Sequence, residues 1–567
     1  MWHSGLLVLF AATVLLLAMV APKLYQLALS TTHIILVLQI ALPPVFSTTS
    51  ARNVVDTGYA RYRGNLSFPN TVAYLGVPYA EPPTGDRRFR AALPLNTTRI
   101  AAAAAGAIVD ATKYPDFCIQ GTIGAGDAGG AGTEDCLKVN IYAPAGAKKG
   151  SKLPVLVYIH GGGYTYGNPR NWPFDHWIHQ SPNVVIVSVY YRLDALGFLA
   201  VPEFADAANG DFNAGFSDQI QALKWVQQHI AAFGGDPSAV TINGESAGGS
   251  SVELHLVAAT EKNLFRSAIA QSVYRTPLAK PEQRMPGFQL FAAKAGCGAG
   301  SVTDQLVCLR AADISALAIA QDFVSNNLVE YRQFQPVLDG KIFKDFPTRQ
   351  ILSGKFADVP IMVGSTSNET LSGGTDISAA LIAFFPSLAN GSVSDLVAEY
   401  PTSDFASPAL QFQAATGESE LLCARHIIGT AASKQNKAWT YRYNQPNPTS
   451  GGSATNHAAE NWMMFQGSNT GTNGSGTFTP MTPVEISFAE ELIAYWLSFV
   501  RAGDPNTFKL ARSPLWTPYT ILGRTRIVLQ QDPRNSTTRS GSVLEVESPA
   551  EGRRCRFVAS QVDVQQN

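Results

Sequence analysis

Between Ala239 and Gly249 the chain reads A-V-T-I-N-G-E-S-A-G-G, a β-prone run that passes through one serine straight into a helix-compatible segment. A chain can do this only by a sharp strand-to-helix turn. Gly244 and Gly248 flank Ser246 at the two positions where a Cβ would obstruct it. Such a turn commits the surrounding sequence to an α/β architecture and leaves the Ser246 hydroxyl exposed above a sheet, poised for acyl transfer. The pentapeptide alone is weak evidence, because ordinary Gly and Ser usage gives on the order of 0.2 chance matches in a chain this long. The remaining parts of a nucleophilic site must appear in the right order.

One part lies upstream. Leu153-Pro154-Val155-Leu156-Val157-Tyr158-Ile159 reads as a buried strand, and His160-Gly161-Gly162-Gly163-Tyr164 follows it. Glycines after a strand let backbone N–H groups face a ligand, so this turn can help bind a developing oxyanion.

A serine at neutral pH needs a base, usually a histidine oriented by a carboxylate. Only three of the nine histidines follow Ser246. His255 falls within the helix leaving the turn and cannot curl back. His426 has helical apolar spacing around it and reads as a core or surface residue. His457 follows the small, polar run Gly451-Gly452-Ser453-Ala454-Thr455-Asn456, a loop of the kind that carries catalytic residues. Elimination favours His457. For the acid, Asp339-Gly340 looks like a turn, whereas Ile361-Met362-Val363-Gly364 reads as a strand whose following loop delivers Glu369. Position favours Glu369 over Asp339.

Tyr79-Ala80-Glu81-Pro82-Pro83, Glu134-Asp135-Cys136-Leu137, Tyr191-Arg192-Leu193, Phe233-Gly234-Gly235-Asp236-Pro237, Pro336-Val337-Leu338-Asp339-Gly340 and Trp516-Thr517-Pro518-Tyr519 join the G-E-S-A-G-G run in one order. Together they resemble the type-B carboxylesterases, the cholinesterase-like branch of the α/β-hydrolases, from about residue 52 to residue 557. The resemblance implies an α/β-hydrolase fold: a central, mostly parallel twisted sheet flanked by helices, in a single large elaborated domain over 46–567. It implies Ser246, Glu369 and His457 as a triad, with oxyanion N–H groups from Gly162, Gly163 and Ala247, and asks for no cofactor or metal. The family's usual D-E-G reads Asn368-Glu369-Thr370 here, which keeps the glutamate. The family pattern also implies three disulfides, Cys118–Cys136, Cys297–Cys308 and Cys423–Cys555, which use all six cysteines.

The N-terminus fits an oxidising compartment. Residues 1–45 read as a signal peptide or an N-terminal membrane anchor. Gly5 to Ala21 has no basic residue ahead of it, whereas the apolar run Ile34 to Leu42 is preceded by Lys23. Translation from Met19 therefore gives the better-formed signal peptide; from Met1, Gly5 to Ala21 reaches the lower edge of spanning length. The expected destination is secreted, with membrane attachment only through that anchor. N-x-S/T sequons at Asn65, Asn96, Asn390, Asn473 and Asn535 suit a glycoprotein. A sixth, at Asn368, adjoins the expected acid and reads as too buried to be modified.

A net charge of −1 with 15% charged residues and no aromatic-laced basic patch argues against nucleic acid as a partner. The expected partner is a small ester. In cholinesterases a tryptophan inside the first disulfide loop holds a quaternary ammonium; here Cys118 to Cys136 encloses no aromatic residue, which argues against choline esters. That loop is also short and not amphipathic, unlike a lipase lid. The expected activity is hydrolysis of short- to medium-chain or aryl carboxylic esters through an acyl-enzyme. A long-chain lipase is the alternative, and a non-catalytic adhesion module the outlying one. Of Tyr164, Trp172 and Trp177, at least two read as core rather than pocket. Activity is expected to fall below a pH near the ordinary imidazole value of about 6.5.

Overall fold

The computed structural model describes residues 53–120, 132–260, 263–327, 333–471 and 476–567. The leader or anchor over 1–45, the start at Met19, nearly all of the glycine-rich stretch 121–132 and the sequon at Asn473 lie outside the described residues.

The strands are β1 (Val54–Asp56), β2 (Arg61–Phe68), β3 (Thr71–Pro78), β4 (Ile108–Ala111), β5 (Lys138–Pro144), β6 (Leu153–Ile159), β7 (Val185–Val189) and β8 (Gly235–Glu245). They continue with β9 (Ser267–Gln271), β10 (Ile361–Thr366), β11 (Ala438–Tyr443), β12 (Ser468–Thr470), β13 (Gly476–Phe478), β14 (Thr525–Leu529) and β15 (Val543–Val546). Among the described residues one sheet runs β1-β2-β3-β5-β7-β6-β8-β9-β10-β11-β14-β15, with β4 beside β2. Its centre, β7-β6-β8-β9-β10-β11-β14, is parallel throughout. The flanks β1-β2-β3-β5-β7 and β14-β15 are antiparallel.

The central strands are largely buried because both faces are covered, and polar residues such as Ser188, Thr241 and Asn243 are buried among their apolar neighbours. In β6, Val155, Val157 and Ile159 enter one core cluster while Leu156 and Tyr158 enter the other. That is the two-residue alternation of a strand buried on both sides. Pro154, which brings no N–H, sits at the start of β6 where the β6–β8 register shifts.

Seven helices frame the site or brace it: α1 (Ala214–His229), α2 (Ala247–Val257), α3 (Pro408–Gly417), α4 (Cys423–Gln435), α5 (Ala459–Met464), α6 (Pro483–Ala502) and α7 (Pro549–Ser560). Sequence sets the ends of α6. Thr482 and Glu485 form a reciprocal capping box, Pro483 opens the first turn, and Gly503 closes the helix at φ 65°. Helix α3 passes into α4 through a π-helical turn, Glu418–Leu422. The apolar spacing around His426 does not register that turn, because one extra residue per turn leaves the flanking helical pattern intact.

Two of the sequence blocks that carry the resemblance turn out to be braces. Arg192 forms a two-pronged pair with Asp218 of α1, with N–O distances of 2.6 and 2.8 Å, and both are buried. Arg88 grips Glu134 in the same way at 2.7 Å on both prongs, beside the first disulfide. All three disulfides form, across sequence separations of 18, 11 and 132. The last joins α4 to α7. Among the described residues no helix is long and apolar enough to cross a membrane.

Candidate active site

Parallel strands place every strand-to-loop exit of the sheet's centre on one side, which is where such sheets build sites. Gly162 and Gly163 follow β6, Ser246 follows β8, Glu369 follows β10, and His457 closes the loop after β11.

At the end of β8, Ser246 adopts φ 59° and ψ −121°, and α2 begins at the next residue. A positive φ on serine costs on the order of 1–3 kcal/mol and persists only where the surroundings hold it. Here the Ser246 N–H donates to the Gln271 carbonyl at 3.0 Å, and the Ser246 carbonyl accepts from Ser250 N–H at 2.8 Å. The glycines make this approach feasible: a Cβ on Gly244 would meet the Gly248 backbone at 2.4 Å, and one on Gly248 would meet the Ile159 carbonyl at 2.1 Å.

His457 bridges the serine and the acid. Its Nε2 lies 2.8 Å from Ser246 Oγ and its Nδ1 lies 2.7 Å from Glu369 Oε2. A carboxylate only accepts, so Nδ1–H donates to Glu369, and in the neutral imidazole Nε2 is left to accept from the hydroxyl. Glu369 is buried, and its other oxygen accepts from Ser272 Oγ at 2.6 Å and from Thr366 N–H at 2.5 Å. From behind, the π-turn residue Glu420 accepts from Leu371 N–H at 2.8 Å and from Ser372 Oγ, which fixes the loop carrying the acid.

Two further carboxylates crowd the imidazole, and sequence reasoning missed both. Glu245 Oε1 lies 3.4 Å from His457 Nε2, and its Oε2 accepts from Asn461 Nδ2 at 2.9 Å. Glu460 approaches Ser272 Oγ at 3.4 Å. Burial works against charge on His457, but Glu245, Glu369 and Glu460 outweigh it and push the imidazole up to about 9. Burial raises Glu245, and burial with the neighbouring carboxylates raises Glu460 to about 8. These carboxylates favour the imidazolium, so the acid limb is expected above the ordinary imidazole value. Glu245 stood inside the G-E-S-A-G block, the one signal that could have pointed to it; Glu460 had only its place three residues after His457.

Gly162 (φ 103°) and Gly163 (φ 60°) wall the same cavity as Ser246 and His457. Ala247 opens α2, whose first-turn N–H groups have no carbonyl partner within the helix. The cavity measures about 240 Å³. Trp172 lines it, whereas Tyr164 and Trp177 are fully buried core residues.

The other candidates stand apart from Ser246. His255 is buried in α2, within 3.2 Å of Gln219 Oε1. His426 is buried in α4 and pairs with Glu547 at 3.0 Å. Asp339 caps a turn, accepting from the N–H groups of Lys341, Ile342 and Phe343. Asn368 is half-buried rather than sealed, and its amide donates to Asn456 at 2.9 Å. Asn65, Asn96 and Asn535 are exposed. Asn96 also caps the helix Thr97–Ala104. Glu418 with Cys423 and Cys555 is the one metal-like grouping among the described residues, and its two sulfurs are spent in a disulfide.

A family model described as the Carboxylesterase family matches residues 51–546. The chain belongs to that family. It is 35% identical to mouse (Mus musculus) cholinesterase over 60% of its length, and 36% identical to the acetylcholinesterase of Electrophorus electricus over 53%. Those matches span 57% and 48% of the two relatives, roughly half their length. The acetylcholinesterase of Bungarus fasciatus is 28% identical, with 84% of this carboxylesterase-family chain and 83% of the relative covered. The crystal structure of Aspergillus niger EstA superposes with a TM-score of 0.79 at 29% identity, covering 91% of this chain and 99% of EstA.

Proposed function

We propose that this carboxylesterase-family protein is a serine hydrolase that cleaves carboxylic esters through an acyl-enzyme. The observation that carries the reading is the unbroken relay from Ser246 Oγ through both nitrogens of His457 to Glu369, at 2.8 and 2.7 Å. His457 takes the Ser246 proton as Oγ attacks the ester carbonyl, while Glu369 holds the tautomer and stabilises the imidazolium. The N–H groups of Gly162, Gly163 and Ala247 receive the oxyanion; losing one such donor typically costs about 10²–10³ in kcat. His457 then protonates the departing alcohol, and water repeats the cycle on the acyl-enzyme, regenerating Ser246.

Substrates are short- to medium-chain or aryl esters. The cavity of about 240 Å³ falls below the ~300–1,000 Å³ of pockets for drug-sized ligands, and its lining offers few aliphatic side chains. Both features count against a long-chain lipase. Three disulfides support passage through an oxidising, secretory compartment.

The test is covalent labelling by a fluorophosphonate, alongside hydrolysis of 4-nitrophenyl esters from acetate to palmitate, for wild type and Ser246→Ala. Serine-dependent labelling and a short-chain optimum are expected. A folded wild type that neither labels nor hydrolyses any ester overturns the reading in favour of a binding module; a long-chain optimum moves it to a lipase.

A further inference from the structure

The loop that delivers His457 also builds one wall of the cavity, and that wall is polar. Asn447 lies on the loop after β11, Asn461 sits one turn beyond His457 in α5, and Ser468, Asn469 and Thr470 form β12 just after α5. These side chains are preorganised. Asn447 Nδ2 donates to Asn469 Oδ1 at 2.9 Å, Asn469 Nδ2 donates to Thr449 Oγ1 at 3.1 Å, and Ser468 Oγ donates to the Asn171 carbonyl at 2.5 Å, beside Trp172. Among the described residues, aliphatic side chains in the lining reduce to Leu371 and Ala458, and no Lys or Arg lines the cavity.

Position decides which half of an ester meets this wall. Resting on the triad reading above, the alcohol oxygen must sit at His457 Nε2 to receive its proton as the acyl C–O bond breaks. The alcohol half therefore lies along the segment that carries His457, Asn447 through Thr470. A wall of amides and hydroxyls suits a partner that both donates and accepts hydrogen bonds, and it gives an apolar group little to pack against. With Glu245 in the lining and no Lys or Arg among its described residues, an anionic alcohol such as a uronate or a phosphorylated sugar finds no fixed positive partner on this wall.

We infer that the natural alcohol moiety is a neutral polyol, a sugar or sugar alcohol carrying a short acyl group, recognised by Asn447, Asn469 and Thr470. Hydrolysis then transfers the acyl group to Ser246 Oγ, releases the polyol with the proton from His457, and consumes one water to free the carboxylic acid.

The test compares two acetates with the same six-membered outline: methyl glucoside acetylated on its primary hydroxyl, and cyclohexylmethyl acetate, with acetylcholine as a third substrate. The purified full-length chain should favour the glucoside ester by about tenfold or more in kcat/KM, the range of one or two well-placed hydrogen bonds. Asn469→Leu and, separately, the isosteric Thr470→Val should each shrink that ratio several-fold; the second covers the case in which the first fails to fold. Equal or better hydrolysis of cyclohexylmethyl acetate or of acetylcholine overturns this inference while leaving the serine reading intact. A ratio that neither folded variant moves also overturns it. Loss of hydrolysis of all three substrates and of 4-nitrophenyl acetate overturns both readings.

Discussion

Replacing Glu245 with Gln isolates the charge that most sharply distinguishes this imidazole from one paired with a single acid. At 3.4 Å and an effective dielectric near 20, a full pair of charges attracts by ~5 kcal/mol. Both charges are delocalised over groups whose centres lie farther apart, which lowers this to ~3 kcal/mol. Burial raises Glu245 and so weakens its charge further, which brings the effect on the imidazole to the order of one pH unit, about 1.4 kcal/mol. The sign follows from the base role. His457 works only when neutral, so activity is lost as pH falls through its raised value, up to about 9 in the native site. Removing the neighbouring negative charge makes the imidazolium less favourable, so the acid limb of kcat/KM should move down by about one unit. The amide oxygen of Gln can still accept from Asn461, which keeps the pocket's geometry. The assay is a pH profile of kcat/KM for 4-nitrophenyl acetate in both proteins. A limb that stays put, or shifts upward, refutes the electrostatic argument.

Glu369→Gln should lower kcat by about 10³-fold or more at unchanged thermal midpoint, because the amide turns the imidazole to the wrong tautomer; near-normal turnover would hand the role to another acid. Gly248→Ala should abolish activity, since the new methyl meets the Ile159 carbonyl at 2.1 Å and the serine turn must shift; circular dichroism with fluorophosphonate labelling separates a displaced serine from a misfolded chain. Asp218→Ala strands Arg192 in the core and should cost about 3–5 kcal/mol, read as a lowered urea midpoint.

What the sequence could carry was local or ordered along the chain. A strand running into a glycine-flanked serine has one geometric solution, so the turn at Ser246 was legible. Strand-end logic led to Glu369, and elimination among three histidines led to His457; the structure brings all three together. The cavity's polar wall was not legible, because Asn447, Asn469 and Thr470 acquire meaning only when β12 folds back beside the His457 loop. Glu245 and Glu460 stayed hidden for the same reason. A carboxylate's partners are set by contacts across the sheet, and the upward shift of His457 is a sum over such contacts. Periodicity failed at Glu418–Leu422, where the apolar spacing of a plain helix conceals a wider turn. Asn368 was misjudged because a residue beside a sealed carboxylate can still face the loop surface.

That wider turn makes the molecule sensitive to counting. Helix α3 and helix α4 are kept in phase across Glu418–Leu422, with Glu420 gripping the loop after Glu369 on one side and Glu418 held by Arg554 of α7 at 2.7 Å on the other. Deleting a single residue there would rotate everything downstream by about 100°. Cys423 would then turn away from Cys555, and Glu420 from Leu371. Substitutions along this stretch can be absorbed one side chain at a time, but a one-residue change in length cannot, so tolerance to insertion and deletion should drop sharply over these five positions.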